Sequence, residues 1–300
     1  MIKFSKEKIW TDEELKKEVA FLKKIMRSSG SVALNSREEH VGKELFLNTE
    51  EGKVRVLAYN IDNPEKLPLF VNIHGGGFVL GNAEMDDPFM MNISTNANVK
   101  ILSVDYSLSP EFPFPKALNE CYAVVKYAKE NWEEFGIDPE SIAVGGHSAG
   151  GNFSAAICLL DNDRKLLNIK SLILDYPPMD VYTDAGLKPK PKGAIPVSTS
   201  RIFDACYCND KEARKNLLIS PIYSDISQLK NFPPTLVITA KQDSLCEEAE
   251  KFRDKLIEAG VDVTHKQFDD VHGFNLRPGV NADKSWEMII EHLKATLWKK

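Results

Sequence analysis

The sequence predicts an α/β protein in which a mostly parallel central sheet carries helices on both faces. Three observations point there. Strand-like and helix-like segments alternate along the chain at a spacing that suits parallel strands joined by crossover helices. The pentapeptide Gly146-His147-Ser148-Ala149-Gly150 stands where one such strand gives way to a helix. The tetrapeptide His74-Gly75-Gly76-Gly77 leaves the end of an earlier strand. With 300 residues, 43% apolar and 27% charged, the chain suits one α/β domain with a modest insertion rather than two independent domains.

The elements follow in order. Thr11 and Glu14 form a capping box ahead of Leu15, Val19, Leu22, Ile25 and Met26 at helical spacing, so the chain opens with an amphipathic helix that needs a partner surface. Strands are expected over 54–61 and 67–73, the second running into the His74 loop. A polar, methionine-containing segment suits a helix around 83–96, a strand follows over 100–106, and prolines fix the start of a helix over 116–132. The apolar run Ser141-Ile142-Ala143-Val144 reads as a buried strand, with a helix over 152–160 beyond Gly151. Strands over 171–174, 234–240 and 261–268 and helices over 245–259 and 282–298 complete the alternation. Between Pro177 and Pro221 the rhythm fails. Pro178, Pro189, Pro191 and Pro196 interrupt it, and Met179, Tyr182, Phe203 and Tyr207 are scattered among charges. Such an insertion over strand ends reads as a lid, with a plain surface excursion as the alternative. The expected organisation is an N-terminal helical cap segment over 1–50 and a main domain over 51–300, interrupted by a cap insertion at about 178–220.

The chemistry centres on Ser148. A GxSxG turn between strand and helix projects a serine hydroxyl from the end of a sheet, and its glycines permit unusual backbone angles and close approach. The helix beyond it points amide N–H groups and a positive dipole end at any oxyanion formed there. Glycine is common enough that the motif alone is a modest signal, and an idle serine in a tight turn is the plain alternative. A nucleophilic serine needs a base, and the base an orienting carboxylate, in the chain order serine, acid, histidine. Of six histidines, His40 and His74 come too early, His147 shares the turn with the serine, His265 lies in a strand pattern and His292 in the last helix. His272, in the loop after the last strand, remains as the base. Asp243, just beyond the strand that ends at Ala240, is preferred as the acid over Asp269 and Asp270, although an N-cap for the following helix is also open to it. The amides of Gly76, Gly77 and Ala149 are assigned to the oxyanion hole. Without a following Lys-Ser or Lys-Thr, the His74 glycine loop is a weak phosphate cradle.

A net charge of −6 and a pI near 5.6 argue against nucleic-acid or membrane partners. The first eight residues lack an apolar leader and no apolar run is long enough to span a bilayer, so a cytoplasmic protein is expected. Cys121, Cys158 and Cys246 suit buried helical positions, while Cys206 and Cys208 lack the partners of a metal site. No metal and no organic cofactor is implied.

Around these motifs the chain resembles the hormone-sensitive-lipase-like family of α/β-hydrolases, a carboxylesterase branch. Asp105-Tyr106-Ser107-Leu108-Ser109-Pro110-Glu111 resembles the family string DYRLAPE, and Tyr176-Pro177, Asp180, Ser220-Pro221, Pro233-Pro234 and His272-Gly273-Phe274 fall in family order over roughly residues 50–300. Three positions depart from it: His147 stands where Asp is usual, Ser244 replaces Pro after Asp243, and Ser107 replaces Arg. The resemblance implies an α/β-hydrolase fold and a serine esterase acting on a small-molecule ester. Two alternatives stay open, an amidase or aryl-formamidase-like hydrolase and a non-catalytic ligand receptor on the same scaffold. A receptor would be expected to lose a triad member. Oligomeric state is open as well, a homodimer being one option. Short acyl chains are expected to be preferred, because the insertion is long enough to roof the site.

Overall fold

The computed structural model describes residues 8–28 and 40–298. The Met26 side chain, residues 1–7 that bear on the apolar leader, and residues 29–39 of the expected cap segment lie outside the described residues. Eight strands are described: β1 (Lys43–Thr49), β2 (Gly52–Tyr59), β3 (Leu67–Ile73), β4 (Lys100–Asp105), β5 (Ile137–His147), β6 (Ser171–Asp175), β7 (Thr235–Ala240) and β8 (Val263–Phe268). They form one sheet in the order β1-β2-β4-β3-β5-β6-β7-β8. Only β2 runs against its neighbours, and every pair from β4 through β8 is parallel. The expected α/β-hydrolase architecture is borne out.

Strand β1 corrects the expected domain boundary. Residues 43–49 belong to the sheet, paired with β2 from Lys43↔Ala58 to Thr49↔Gly52, so the N-terminal segment is not wholly a helical cap. The central strands are apolar on both sides because both faces are covered. On β3, Leu69, Val71 and Ile73 join one core while Phe70 joins the other. The first core is closed by α3 (Lys116–Glu130), α4 (Trp132–Phe135), α5 (Ala149–Arg164), α7 (Ile226–Leu229) and α8 (Cys246–Glu258), through Leu118, Phe135, Phe153, Leu229 and Phe252. The second is closed by α2 (Asp87–Asn96) and α9 (Val280–Leu297), through Met90, Ile93, Ile289 and Leu293. No helix among the described residues is long and apolar enough to cross a membrane.

Above the carboxyl ends of the strands lies a third, smaller cluster. Leu15 and Val19 of α1 (Asp12–Ser28) pack with Ile202, Ala205 and Cys206 of α6 (Val197–Tyr207), and with Val79 and Leu80 just beyond the glycine loop. The Thr11 and Glu14 capping box forms as expected, with the Glu14 N–H on Thr11 Oγ1 at 3.2 Å and the Thr11 N–H on Glu14 Oε2 at 2.9 Å. Within the insertion, Lys188 forms a buried 2.7 Å ion pair with Glu248 at the start of α8, tying the insertion to the body of the fold. Glu248 also accepts the Met179 N–H at 2.8 Å.

Candidate active site

Strand β5 passes into α5 through Ser148, whose φ of 52° and ψ of −122° place it in the left-handed half of backbone space, a strained setting for a residue with a side chain. Its flanking glycines answer to one neighbouring atom. A Cβ on Gly146 would sit 2.1 Å from the carbonyl oxygen of Ile73, and one on Gly150 would sit 1.8 Å from the same oxygen. Strand β3 therefore runs so close to the turn that only glycine fits on either side of the serine. The Ser148 N–H donates to the Asp175 carbonyl at 2.8 Å, fixing the turn from the other neighbouring strand.

The residues that sequence reasoning named come together here. His272 Nε2 lies 2.9 Å from Ser148 Oγ, and His272 Nδ1 lies 2.6 Å from Asp243 Oδ2. Asp243 is 2% exposed and its second oxygen accepts the Leu245 N–H at 3.0 Å. The N-cap of α8 is Leu245, so Asp243 does not take the N-cap role also open to it; its second oxygen closes the turn ahead of the helix while the first orients the imidazole. The competitors face elsewhere: Asp270 accepts from the Val271 N–H and Asn281, and Asp269 from Gln242. His265 is held by Thr239 and Arg253, and His40 by the Gly42 carbonyl. The Tyr176 ring meets His272 edge to face at 4.9 Å, an apolar wall behind the imidazole.

The glycine loop lies beside Ser148. Gly76 and Gly77 have φ of 117° and 61°, and Leu80 closes the turn by donating its N–H to the Gly76 carbonyl at 2.9 Å. A Cβ on Gly76 would meet Leu80 O at 2.0 Å, and one on Gly77 would meet the Phe203 ring at 2.3 Å. His74 anchors the loop from below, stacked on Tyr106 at 4.1 Å, with Nδ1 2.7 Å from the Gly75 carbonyl. Burial pushes the His74 imidazole down, which suits a neutral ring donating from Nδ1 to that carbonyl. The insertion touches the loops of His272 and Asp243 too, because Gly193 packs on Val271 and the Gln242 carbonyl, next in sequence to those residues.

Two buried polar groups near the serine escaped sequence reasoning. Asp175, at the end of β6, accepts from Asn275 Nδ2 at 2.5 Å, and burial pushes its carboxyl up to about 7 against that hydrogen bond and the nearby His147 and His272. Its other oxygen has no partner among the described residues, and a small cavity between the sheet and α9 opens beside it. Asp86 pairs with His147 at 2.9 Å beneath the glycine loop. The only sequence signal for either was position: Asp175 precedes Tyr176-Pro177, and His147 departs from the residue usual in the resembling family. No group of three or more candidate metal ligands occurs among the described residues.

A family profile described as an alpha/beta hydrolase fold matches residues 70–276. An arylesterase of Saccharolobus solfataricus is 28% identical over 235 residues, covering 77% of this chain and 76% of that protein. The carboxylesterase NlhH of Mycobacterium tuberculosis is 32% identical over 207 residues, covering 66% of this chain but 63% of its own length. Among solved structures, carboxyl esterase 2 of the fungus Tuber melanosporum superposes with a TM-score of 0.81 at 27% identity, covering 93% of this chain and 98% of that one.

Proposed function

The chain belongs to the α/β-hydrolase family, in its hormone-sensitive-lipase-like branch of carboxylesterases, and from that premise we propose that it hydrolyses short-chain carboxylic esters through an acyl-enzyme on Ser148. One observation carries the reading, the continuous hydrogen-bonded line from Asp243 through His272 to Ser148 Oγ, at 2.6 and 2.9 Å. Neutral His272 takes the serine proton at Nε2 as Oγ attacks the ester carbonyl, and Asp243 holds the ring and stabilises the imidazolium that forms. The developing oxyanion is held by the amides of Gly76, Gly77 and Ala149, whose backbone the crowding around the loop and the turn fixes before substrate arrives. His272 then returns the proton to the departing alcohol oxygen, and a water repeats the sequence to release the acid.

The short-chain preference rests on the roof. Phe203 lies directly on Gly77, and α1 braces α6 from above, so the space over the glycine loop is closed by ring and helix. Each methylene that fits adds about 0.8 kcal/mol of burial, and the first that does not fit costs rate. Intact contact among all three triad groups favours an enzyme over a receptor built on the same scaffold.

The test is labelling with a fluorophosphonate followed by turnover of p-nitrophenyl esters of increasing acyl length. The adduct should map to Ser148, Ser148→Ala should lose at least about 10³-fold in kcat while staying folded, and the rate should peak within roughly two to six carbons. Labelling at another residue overturns the nucleophile assignment. A rate still climbing at sixteen carbons, or jumping when substrate forms an emulsion, overturns the roof. Matched ester and amide substrates separate this reading from an amidase or formamidase, which would favour the amide.

A further inference from the structure

The residue just before the nucleophile does not face substrate. His147 is 3% exposed and turns under the glycine loop, where its ring meets two groups at one nitrogen. Asp86 Oδ1 lies 2.9 Å from Nε2, and the amide nitrogen of Gly75 lies 3.2 Å from the same atom. The fit is also steric, since a Cβ on Gly75 would fall 2.6 Å from the imidazole Nδ1 and Cε1. Asp86 is itself fixed, accepting from Asn72 Nδ2 at 2.8 Å, and Asn72 also donates to Ser103 at 3.0 Å.

We propose that His147, held by Asp86, is a positioning residue that sets the oxyanion loop at its working distance from the Ser148 turn. The inference rests on the function proposed above. His147 belongs to the same turn as the nucleophile, and its ring, together with its own carbonyl oxygen, is where that turn bears on Gly75, one residue before the first proposed oxyanion amide. A shift of the loop relative to Ser148 would leave substrate binding on the roof side unchanged while misplacing amides needed only once charge develops on the carbonyl oxygen. The Nε2 atom has a single in-plane site, so it serves one of its two neighbours through a proton and the other by contact. Burial pushes the imidazole down, but the Asp86 carboxylate outweighs that and holds it above its ordinary value, so the proton goes to Asp86 and Gly75 rests on the ring. Other titratable groups near the pair are His74, Asp175 and Tyr176, whose ring is tilted against that of His147.

The test compares His147→Gln with His147→Leu. A glutamine carries an N–H donor for Asp86 in place of the imidazole Nε2–H, whereas leucine fills similar space with no donor. With p-nitrophenyl acetate, H147L should lose roughly 10- to 100-fold in kcat with KM within about threefold of wild type, and H147Q should recover most of that loss. Hydrogen–deuterium exchange in the 74–80 segment should quicken in H147L and not in H147Q. Asp86→Asn, which leaves the ring but weakens its anchor, should fall between them and stands in if H147L does not fold. Wild-type kcat in H147L, equal losses in both His147 variants, or unchanged exchange over 74–80 overturns the positioning role alone. Absence of ester turnover in the wild-type protein instead overturns the esterase reading and takes this inference with it.

Discussion

The strand ends that carry Ser148 and the roof that covers them are built by opposite means. At the strand ends, backbone meets backbone: the Ile73 carbonyl stands where a Cβ of Gly146 or Gly150 would go, and the Leu80 carbonyl where one of Gly76 would go. In the roof, side chains meet side chains: Leu15 and Val19 of α1 against Ile202 and Ala205 of α6, with Phe203 reaching down to Gly77. The first kind of contact admits one residue type. The second admits any apolar set of about the right volume. On the function proposed above, chemistry is fixed where substitution is forbidden, and substrate range where substitution is tolerated.

The sharpest way to break this contrast is Gly150→Ala. A methyl group 1.8 Å from a carbonyl oxygen in a paired strand has nowhere to go without parting β3 from β5 or moving Ser148. We expect a loss of about 3 kcal/mol or more in unfolding free energy by urea titration, together with turnover near background. A variant with a wild-type urea midpoint and wild-type kcat would show that the turn relaxes freely, and the distinction between the two regions would fall.

The same contrast explains what was legible in the sequence. Ser148 could be named because the backbone around it admits so few residues that a short motif results, and His272 and Asp243 because each lies in a loop just beyond a strand, in the chain order the serine requires. Strand β1 and helix α6, which went unread, have no such mark. Strand β1 is a seven-residue edge strand in which Leu47 is buried and Phe46 is exposed, too weak an alternation to stand out between polar flanks. Helix α6 is hidden by Pro189, Pro191 and Pro196, the last of which is its N-cap and so starts the helix instead of breaking it. The Asp86–His147 pair joins residues 61 apart, and nothing local in either stretch signals the other.

A milder test addresses the roof. Phe203→Ala removes the ring from Gly77 without touching a backbone contact, so kcat on acetate should change less than about threefold while the acyl-length optimum moves up by roughly two to four carbons. The contrast sharpens if stability falls by no more than about 1–2 kcal/mol, since Phe203 is only partly buried. An unchanged chain-length profile would place the acyl chain elsewhere and free Phe203 from any role in selection.

The smallest expected effect on turnover, and the one that probes the ground beneath both regions, is Asp175→Asn. Burial holds this carboxyl at about 7, far above the roughly 3.9 of an unfolded aspartate. Between those two values the folded chain keeps a proton that the unfolded chain has given up, so folding is favoured at the acid end and the advantage drains away as pH rises from about 4 to about 7. Asparagine keeps the shape and can still accept from Asn275 Nδ2, but it does not titrate. Its NH₂ falls where the aspartate oxygen has no partner, beside the small cavity. Unfolding by urea at pH 4.5, 6 and 7.5 should therefore show the wild type losing ground to D175N by an amount on the order of a few kcal/mol, with the difference levelling off above pH 7. At pH 7.5 kcat should stay within about threefold of wild type, because Asp175 reaches Ser148 through its backbone carbonyl, which the substitution leaves in place. Stability curves that run parallel across the range would mean that Asp175 is ionised in the fold. The charge would then act on the nearby His147 and His272, linking the Asp86–His147 pair to the proposed base.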